Sequence, residues 1–363
     1  MITVRPEIET ISPYQGGKPI EEVQREFKLD DIIKLASNEN PLGPSPKAVA
    51  AMKKVVDQVN LYPDGNAYHL RRDLADHLGV GTDQIILGNG SNEILHIIGE
   101  TFVKPNDEII YSESAFVVYK LVAAICGAKS VVTPMDGYHQ DISAMISAIT
   151  SKTKIIFIAN PNNPTGTMVN VKQTEKLLES VPEHVLVVFD EAYGEYIDRE
   201  DYPRTLPYIQ QGHNVLVSRT FSKIHGLAGL RIGYGVADNR LIGLMNRVRQ
   251  PFNCNLLAQV SARAALADTD YVLRSKQTNN EEKHHLYKAL AELNVDYVPS
   301  EGNFIMLNLS CSGEVIAQKL LEKGIIVRPI TGYGFPNSVR LTIGTNEQNR
   351  RFIETLSDIL EIS

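Results

Sequence analysis

The chain has 363 residues, of which 43% are hydrophobic and 22% are charged, and its formal net charge is -7 at pH 7. This length predicts two domains, and the composition is that of an ordinary globular protein with a substantial core. There is no basic surplus that would favour nucleic-acid binding and no apolar run long enough to span a membrane, so we expect neither kind of partner.

The compartment is inferred from the first residues and the cysteines. Residues 1–14 lack the apolar segment of a signal peptide. Cys126, Cys254 and Cys311 are far apart and odd in number, so they suggest neither a disulfide framework nor a metal cluster. We therefore expect reduced thiols, no metal and a cytoplasmic location.

The first predicted elements follow an arm. Prolines and glycines interrupt any regular pattern within residues 1–30, which we interpret as an N-terminal arm. A helix should begin after Ser45, which can cap it, because Pro46 suits the first helical position. The next helix should run from Tyr68 to a stop at Gly79.

From residue 85 onward, short apolar runs alternate with amphipathic stretches. The apolar runs lie at 85–87, 108–111, 130–133, 154–159, 185–189 and 214–218. The amphipathic stretches include 93–102, 142–149 and 171–179. This alternation predicts buried, largely parallel strands in a sheet that helices cover on both faces. We assign residues 31–252 to this large domain.

The pattern changes after Pro251. A long helical region at 256–293 precedes an alternation of strands and helices, with strands predicted at 303–309, 325–328 and 339–343 and helices at 313–323 and 347–362. We assign residues 253–363 to a smaller α+β domain. The expected fold class is therefore α/β, with a mostly parallel sheet in the large domain.

Polar residues follow four of the predicted strands, at the sheet edge where ligands bind in such folds. Residues 88–92, Gly-Asn-Gly-Ser-Asn, open a helix and are either a phosphate-binding loop or a tight turn capped by Ser91. Residues 160–166 would hold Asn163 as a hydrogen-bond donor or form a plain turn. Asp190 ends the run at 185–189 and is either a cap or a buried charge.

Lys223 follows the run at 214–218, with Ser222 before it and Arg231 eight positions after it. Most lysines are solvated surface charges, whereas a nucleophilic lysine needs a pKa lowered by burial or by neighbouring cations. Each of these loops is ambiguous by itself. Together they supply an amine, an acid, a phosphate-binding loop, an amide and a tyrosine, which is the set that pyridoxal 5'-phosphate (PLP) requires.

These motifs resemble a known family. Asn163-Pro164-Thr165-Gly166, then Asp190-Glu191-Ala192-Tyr193, then Ser222-Lys223 with Arg231, are similar in kind and order to the fold-type I PLP-dependent aminotransferases. This resemblance covers nearly the whole chain, and a closer one is to the histidinol-phosphate aminotransferases. It rests on segments 12–15 (SPYQ), 35–41 (LASNENP), 61–64 (LYPD), 88–93 (GNGSNE), 326–329 (IVRP) and 339–345 (VRLTIGT).

The resemblance implies a cofactor site. Lys223 would hold PLP as a Schiff base and move the substrate proton, Asp190 would pair with the ring nitrogen, and Tyr193 and Asn163 would bond the ring O3′. Phe116 would stack on the ring. The phosphate would be held by Ser91, Asn92, Thr220, Ser222 and Arg231, together with Tyr62 from the other subunit of a homodimer.

The resemblance also implies the substrates, glutamate and imidazole acetol phosphate, which would exchange an amino group in two steps to give 2-oxoglutarate and histidinol phosphate. Arg340 would clamp the α-carboxylate of glutamate. Arg328 and Tyr14 would face the substrate's phosphate, and Asn38 would also contact the substrate. Without the resemblance, an arginine at a strand end is more often a surface ion pair.

Other functions stay open on the same scaffold. One is an aromatic amino acid or prephenate aminotransferase, and another is a threonine-phosphate decarboxylase with nearly the same motifs. A PLP-sensing transcription regulator would need a DNA-binding domain, and the residues before the first large-domain helix show no helix-turn-helix pattern.

Overall fold

The computed structural model describes residues 2–9, 11, 13 and 16–361. The helices within these residues are α1 (Pro6–Glu9), α2 (Ile20–Phe27), α3 (Pro46–Lys53), α4 (Tyr68–Leu78), α5 (Ser91–Phe102), α6 (Val118–Cys126), α7 (Ile142–Ser147), α8 (Val171–Ser180), α9 (Leu206–Gln210), α10 (Asn239–Met245), α11 (Leu256–Leu266), α12 (Thr269–Glu292), α13 (Gly313–Glu322) and α14 (Asn346–Glu361). The strands are β1 (Ile33–Lys34), β2 (Ile85–Gly88), β3 (Glu108–Ser112), β4 (Lys129–Thr133), β5 (Met135–Asp136), β6 (His139–Gln140), β7 (Thr153–Ala159), β8 (Leu186–Asp190), β9 (Val215–Thr220), β10 (Gly233–Ala237), β11 (Asp296–Val298), β12 (Phe304–Asn308), β13 (Ile325–Ile326), β14 (Arg328–Pro329) and β15 (Ser338–Thr342).

The large domain is built on a sheet with the strand order β2-β10-β9-β8-β7-β3-β4. Neighbouring strands are parallel except at β10, which is antiparallel to both β2 and β9. The six predicted apolar runs correspond to β2, β3, β4, β7, β8 and β9, so the mostly parallel sheet is confirmed. The strand that the sequence pattern missed, β10, begins Gly-Tyr-Gly, and glycine weakens the strand signal.

Helices cover both faces of this sheet. Along β7, Ile156 and Ile158 belong to one hydrophobic cluster, whereas Ile155 and Phe157 belong to another. Successive side chains of a strand point to opposite faces, so this alternation places a core on each side. A strand buried on both faces is uninterruptedly apolar, which is why the six runs were readable from the sequence.

The predicted helix signals are confirmed at α3 and α4. The Ser45 hydroxyl accepts hydrogen bonds from the backbone N–H groups of Lys47 at 3.1 Å and Ala48 at 3.4 Å, at the start of α3. Gly79 ends α4 with a φ of 68°, in the left-handed region. One expectation was wrong: residues 20–27 of the arm are helical, because α2 begins directly after Pro19 and buries Val23.

The smaller domain contains an antiparallel sheet with the order β11-β12-β15-β14. Residues of α12, α13 and α14 contribute to its hydrophobic cluster. The long predicted helical region is two helices, and α11 buries Ala258 and Ala262 in the same cluster as Leu70 and Leu74 of α4. The division at residue 252 stays a prediction, and this packing favours a boundary after α11.

The segment between the arm and α3 contacts the smaller domain, because its strand β1 pairs in parallel with β13. Among the described residues, each helix is too short or too polar to cross a bilayer.

Candidate active site

A cavity of about 260 Å³ lies at the carboxyl edge of β7, β8 and β9 and is closed on another side by the smaller domain. Most of the predicted site residues line it. They are Asn38, Ser91, Asn92, Phe116, Asn163, Asp190, Tyr193, Thr220, Ser222, Lys223, Arg231, Arg328 and Arg340. The structure therefore gathers residues that are as far apart in the chain as Asn38 and Arg340.

Lys223 lies in the wall of this cavity, three residues after β9. Its Nζ donates a hydrogen bond to the carbonyl oxygen of Ser37 at 3.0 Å and lies 5.4 Å from the centre of the Tyr193 ring. Burial, assisted by the charge of Arg340, lowers the pKa of Lys223 to about 7. A large fraction of this amine is thus uncharged near neutral pH, as a nucleophile or proton carrier requires.

Asp190 is the last residue of β8, and its side chain is buried. Its Oδ2 accepts a hydrogen bond from the hydroxyl of Tyr119 at 2.9 Å, while its Oδ1 has no hydrogen-bond partner within the described residues. Burial raises the pKa of Asp190 to about 6, although the Tyr119 hydroxyl opposes this shift. A buried carboxylate oxygen without a partner is costly, so it is suited to a cationic or N–H group of a ligand.

Tyr193 is the centre of a buried amide cluster. Its hydroxyl oxygen accepts from Nδ2 of Asn38 at 2.9 Å and from Nδ2 of Asn163 at 3.4 Å. Burial raises the pKa of Tyr193 to about 12, so the phenol keeps its proton. Because the oxygen already accepts two bonds, the hydroxyl can serve a ligand as a donor.

The amino end of α5 forms another wall of the cavity. The N–H groups of the first turn, starting at Ser91, lack partners within the helix, so they can bind an anion. Arg231 lies nearby, and its Nη1 donates to the Ser222 hydroxyl at 3.3 Å. The Thr220 hydroxyl donates to the same oxygen at 3.0 Å. Hydroxyls, a guanidinium and helix N–H groups together suit a phosphate dianion.

Two glycines make this arrangement possible. Gly90 has a φ of 81°, and a Cβ there would collide with the Arg231 guanidinium. A Cβ on Gly233 would lie 2.5 Å from the backbone nitrogen of Ser91. Larger residues at either position would push the start of α5 away from Arg231, so these glycines serve the site as well as the turn.

The smaller domain contributes two arginines. Arg340 is buried on β15, where its Nη1 donates to Oδ1 of Asn163 at 2.5 Å and its Nη2 donates to the carbonyl of Ala36 at 2.6 Å. Arg328 on β14 is directly opposite Arg340 in the register of the two strands. The cavity therefore has two guanidinium groups facing the large-domain residues.

The comparisons with known proteins agree with this geometry. The family model for aminotransferase class I and II matches residues 30–356. A histidinol-phosphate aminotransferase of Moorella thermoacetica is 48% identical over 98% of this chain and 92% of its own length. One of Nitrosococcus oceani is 47% identical over 98% of this chain and 96% of its own length.

The chain belongs to the class I and II aminotransferase family.

Solved structures show the fold of this aminotransferase independently. A protein from Erwinia carotovora atroseptica, 30% identical, superposes with a TM-score of 0.87 over 92% of this chain and 97% of its own. The histidinol-phosphate aminotransferase of Sinorhizobium meliloti, which is in complex with pyridoxal-5'-phosphate, is 24% identical and has a TM-score of 0.90 over 99% of this chain and 98% of its own. The predicted fold-type I architecture is confirmed, and the aminotransferase uses PLP.

The cavity of this aminotransferase fits that cofactor. Its amine at Lys223 has a lowered pKa, and the open Oδ1 of Asp190 is a counter-charge for a protonated ring nitrogen. The start of α5 with Arg231 matches a phosphate. Among these described residues, each polar group therefore has a charge that complements the PLP group it would face.

Among the predicted residues that the structure describes, Tyr62 does not line this cavity. Tyr14 is outside the described residues. Tyr62 is 83% exposed and stacks on Phe252, with ring centres 4.8 Å apart. Its predicted contact involves a second subunit of the aminotransferase, so a single chain does not test it.

Sequence reasoning missed two tyrosines that line the cavity, Tyr119 and Tyr333. Tyr119 lies within an apolar helix, where a tyrosine resembles any other core residue. Phe116 precedes α6, so no shared helix face marked Tyr119 as a cavity residue. Tyr333 lies in a short 3-10 turn before β15, and its carbonyl accepts a hydrogen bond from the Ser114 hydroxyl at 2.8 Å.

Proposed function

We propose that this aminotransferase transfers the amino group of glutamate to imidazole acetol phosphate, giving 2-oxoglutarate and histidinol phosphate, in a reversible ping-pong reaction of histidine biosynthesis. Relatives that are 43–48% identical over nearly the whole chain are named histidinol-phosphate aminotransferases, which supports the proposal.

The observation that carries the proposal is the pair of arginines opposite each other on β14 and β15. Like charges directly opposite in a sheet repel, so an anion bound between the two guanidinium groups would relieve that repulsion. Both side chains line the cavity that contains Lys223. One site must accept a carboxylate and a phosphate monoester in turn, and two guanidinium groups meet that demand. We assign the α-carboxylate of glutamate to Arg340 and the substrate phosphate to Arg328.

The large-domain residues receive cofactor roles in this proposal. Asp190 holds the ring nitrogen, Tyr193 and Asn163 hold the ring oxygen, and Phe116 packs on the ring. The phosphate is held by Ser91, Asn92, Thr220, Ser222 and Arg231. When bound, PLP supplies a carbon that takes up and returns the amino group and a ring that withdraws electrons from the substrate carbon.

Lys223 moves the proton in both half-reactions. Its amine removes the proton from Cα of glutamate, and returns a proton to the corresponding carbon of the second substrate. A pKa of about 7 suits this exchange, because the group can both accept and release a proton near neutrality. Asn38, which donates to the Tyr193 hydroxyl, is assigned a contact with the substrate.

A homodimer is part of the proposal. Apolar side chains around Tyr62 are unusually exposed for a single chain. They are Val56, Val59, Leu61, Tyr62, Tyr68 and Phe252. We propose that this surface, the Tyr62 surface, packs on a second copy and brings Tyr62 to that copy's cofactor phosphate. A cytoplasmic location is also proposed, supported by the free thiols of Cys126, Cys254 and Cys311.

The test follows the absorbance of the bound cofactor. Glutamate should convert the holoenzyme to its amino form, and imidazole acetol phosphate should then restore the starting spectrum. Phenylpyruvate, which has no phosphate, should restore it about 100-fold more slowly, because it offers no charged partner to the half-buried Arg328 guanidinium. Equal rates for both acceptors would make an aromatic aminotransferase the better assignment.

The decarboxylase alternative gives a different result. Threonine phosphate would then release carbon dioxide catalytically, and glutamate would produce no 2-oxoglutarate. Formation of 2-oxoglutarate in an amount equal to the enzyme sites, before the second substrate is added, supports the transferase.

A further inference from the structure

The two carboxylate oxygens of Asp190 have different surroundings. Oδ2 accepts a 2.9 Å hydrogen bond from the Tyr119 hydroxyl, and Oδ1 is buried with no hydrogen-bond partner among the described residues. Both Asp190 and Tyr119 line the cavity beside Lys223. One oxygen is therefore held by the protein, while the other is left for a ligand.

Tight packing fixes the direction of the Tyr119 hydroxyl. The residue lies in the first turn of α6 and is 0% exposed. Its ring stacks on Phe157 of β7, with centres 4.5 Å apart and planes 7° apart, and meets Phe116 edge-on at 6.0 Å. A ring clamped in this way cannot turn its hydroxyl away from Asp190 without displacing the core.

The charges determine which partner carries the proton. Burial and the charge of Asp190 raise the pKa of Tyr119 well above 10, so the phenol is the donor at every physiological pH. Its hydrogen bond favours the ionised carboxylate and opposes the burial that raises the pKa of Asp190 to about 6. Without this donor, burial would act with less opposition and the carboxyl group would hold its proton more strongly.

Core packing is the competing explanation, because any buried tyrosine hydroxyl needs a partner. Tyr111 provides the comparison. It is a buried tyrosine of the same cluster, 6.3 Å from Tyr119 between ring centres, but its hydroxyl interacts with Ser130 instead of a cavity residue. Loss of either hydroxyl removes one side-chain hydrogen bond, whereas only one of the two bonds reaches Asp190.

We propose that Tyr119 is a positioning residue for the cofactor, which keeps the Asp190 carboxylate ionised and turned so that Oδ1 meets the ring nitrogen of PLP. The proposal rests on the ring-nitrogen role proposed above for Asp190. It assigns no contact between Tyr119 and the reacting atoms, so its effect is transmitted through the carboxylate.

The experiment compares Tyr119→Phe with Tyr111→Phe in the full-length protein. The apoenzyme is titrated with PLP to obtain the dissociation constant, and the ring nitrogen is observed by NMR with ¹⁵N-labelled PLP. Losing a hydrogen bond to a charged group should weaken PLP binding by Tyr119→Phe about 10- to 100-fold. The ¹⁵N signal should move toward that of unprotonated pyridine, because the more basic carboxyl group takes the proton. Tyr111→Phe should change neither quantity.

Two results would overturn the inference. Tyr119→Phe could match the wild type in both measurements, or the two phenylalanine variants could change equally, which would indicate packing alone. Asp190→Asn separates the inference from its premise. If it also leaves both measurements unchanged, the role of Asp190 itself is wrong, whereas a change confined to Asp190→Asn rejects only the role of Tyr119.

A second variant tests the proposal even if Tyr119→Phe folds poorly. Incorporation of 3-fluorotyrosine at position 119 keeps the ring and makes the phenol a stronger donor. The ¹⁵N signal should then move in the opposite direction, toward protonated pyridine. An unchanged signal would contradict the proposal.

Discussion

The large-domain wall and the small-domain wall of the cavity are built differently. On the large-domain wall, Asp190 is the last residue of a central strand and Lys223 follows the neighbouring one, so the sheet itself places them. On the small-domain wall, Arg340 is held by Asn163 of the large domain and by the carbonyl of Ala36. The first wall depends on one sheet, whereas the second depends on how two domains meet.

This difference separates two kinds of substitution. Changes on the large-domain wall should impair every reaction, because each one needs the cofactor. Changes on the small-domain wall should discriminate between substrates, because each guanidinium serves a different anion.

The largest effect is expected for Lys223→Ala, which should lower the rate of both half-reactions on the order of 10^4-fold, since it removes the proton-transferring amine. Lys283→Ala is the matched control, because Lys283 is also buried with a lowered pKa but donates to the carbonyl of Ser300 outside the cavity.

Borohydride reduction and peptide mapping should find the pyridoxyl group on Lys223. A label on Lys283 or any other lysine would refute this assignment.

Arg328→Ala and Arg340→Ala should divide the two substrates. Loss of a charge-assisted contact at a partly buried site costs about 2–4 kcal/mol, or roughly 30- to 1000-fold in kcat/KM. Arg328→Ala should therefore impair the histidinol-phosphate half-reaction far more than the glutamate one, and Arg340→Ala should impair glutamate most. Single-turnover kinetics of each half-reaction measure this. Equal losses for both substrates in Arg328→Ala would contradict a phosphate-binding role.

Cofactor capture should depend on pH through Lys223. The apoenzyme must present an uncharged amine, so the rate of PLP uptake should rise about tenfold per pH unit below pH 7 and level off above it. The sign follows from the lowered pKa of Lys223, because the folded protein releases this proton at a lower pH than an ordinary lysine, whose pKa is 10.5. Stopped-flow mixing of apoenzyme and PLP gives the profile. A midpoint near 10 would mean that the amine is solvated.

The smallest signal is expected from subunit mixing, which extends the comparison to the Tyr62 surface. Tyr62→Ala and Lys223→Ala should each be inactive or nearly so, and after subunit exchange one site in each hybrid dimer should be intact. A random mixture would then recover up to about a quarter of the wild-type activity. Mass spectrometry verifies the exchange. Exchange without any recovery would show that Tyr62 does not complete the partner's site.

The sequence predicted the large-domain wall better than the small-domain wall, for a physical reason. Strands buried on both faces are continuously apolar, so their ends, and with them Asp190 and Lys223, can be located from the chain alone. Arg328 lies opposite Arg340 because of the register in which β14 pairs with β15, and the apolar pattern of the sequence does not specify this register. Without the family resemblance, neither arginine was distinguishable from a surface charge.

Tyr119 shows a second limit of sequence reasoning. In an apolar helix, its hydroxyl gives no indication of which acceptor it will reach, since that depends on how α6 packs against β7 and β8. Similarly, α2 could not be predicted from the sequence. Its single buried residue, Val23, gives almost no periodic signal, and the prolines and glycines before it indicate irregular structure. Contacts made by one side chain leave little trace in a pattern.

The backbone at Arg231 has a φ of 58°, in the left-handed region that costs a non-glycine residue about 1 kcal/mol or more. Glycine would be the most favourable residue for this conformation, but it has no guanidinium to offer the anion at the start of α5. Selection for thermal stability therefore favours glycine at position 231, whereas selection for cofactor binding favours arginine. A search for stabilised variants that measures only the stability of the protein without its cofactor would replace this arginine. The resulting protein would be more stable but would no longer bind the cofactor phosphate well.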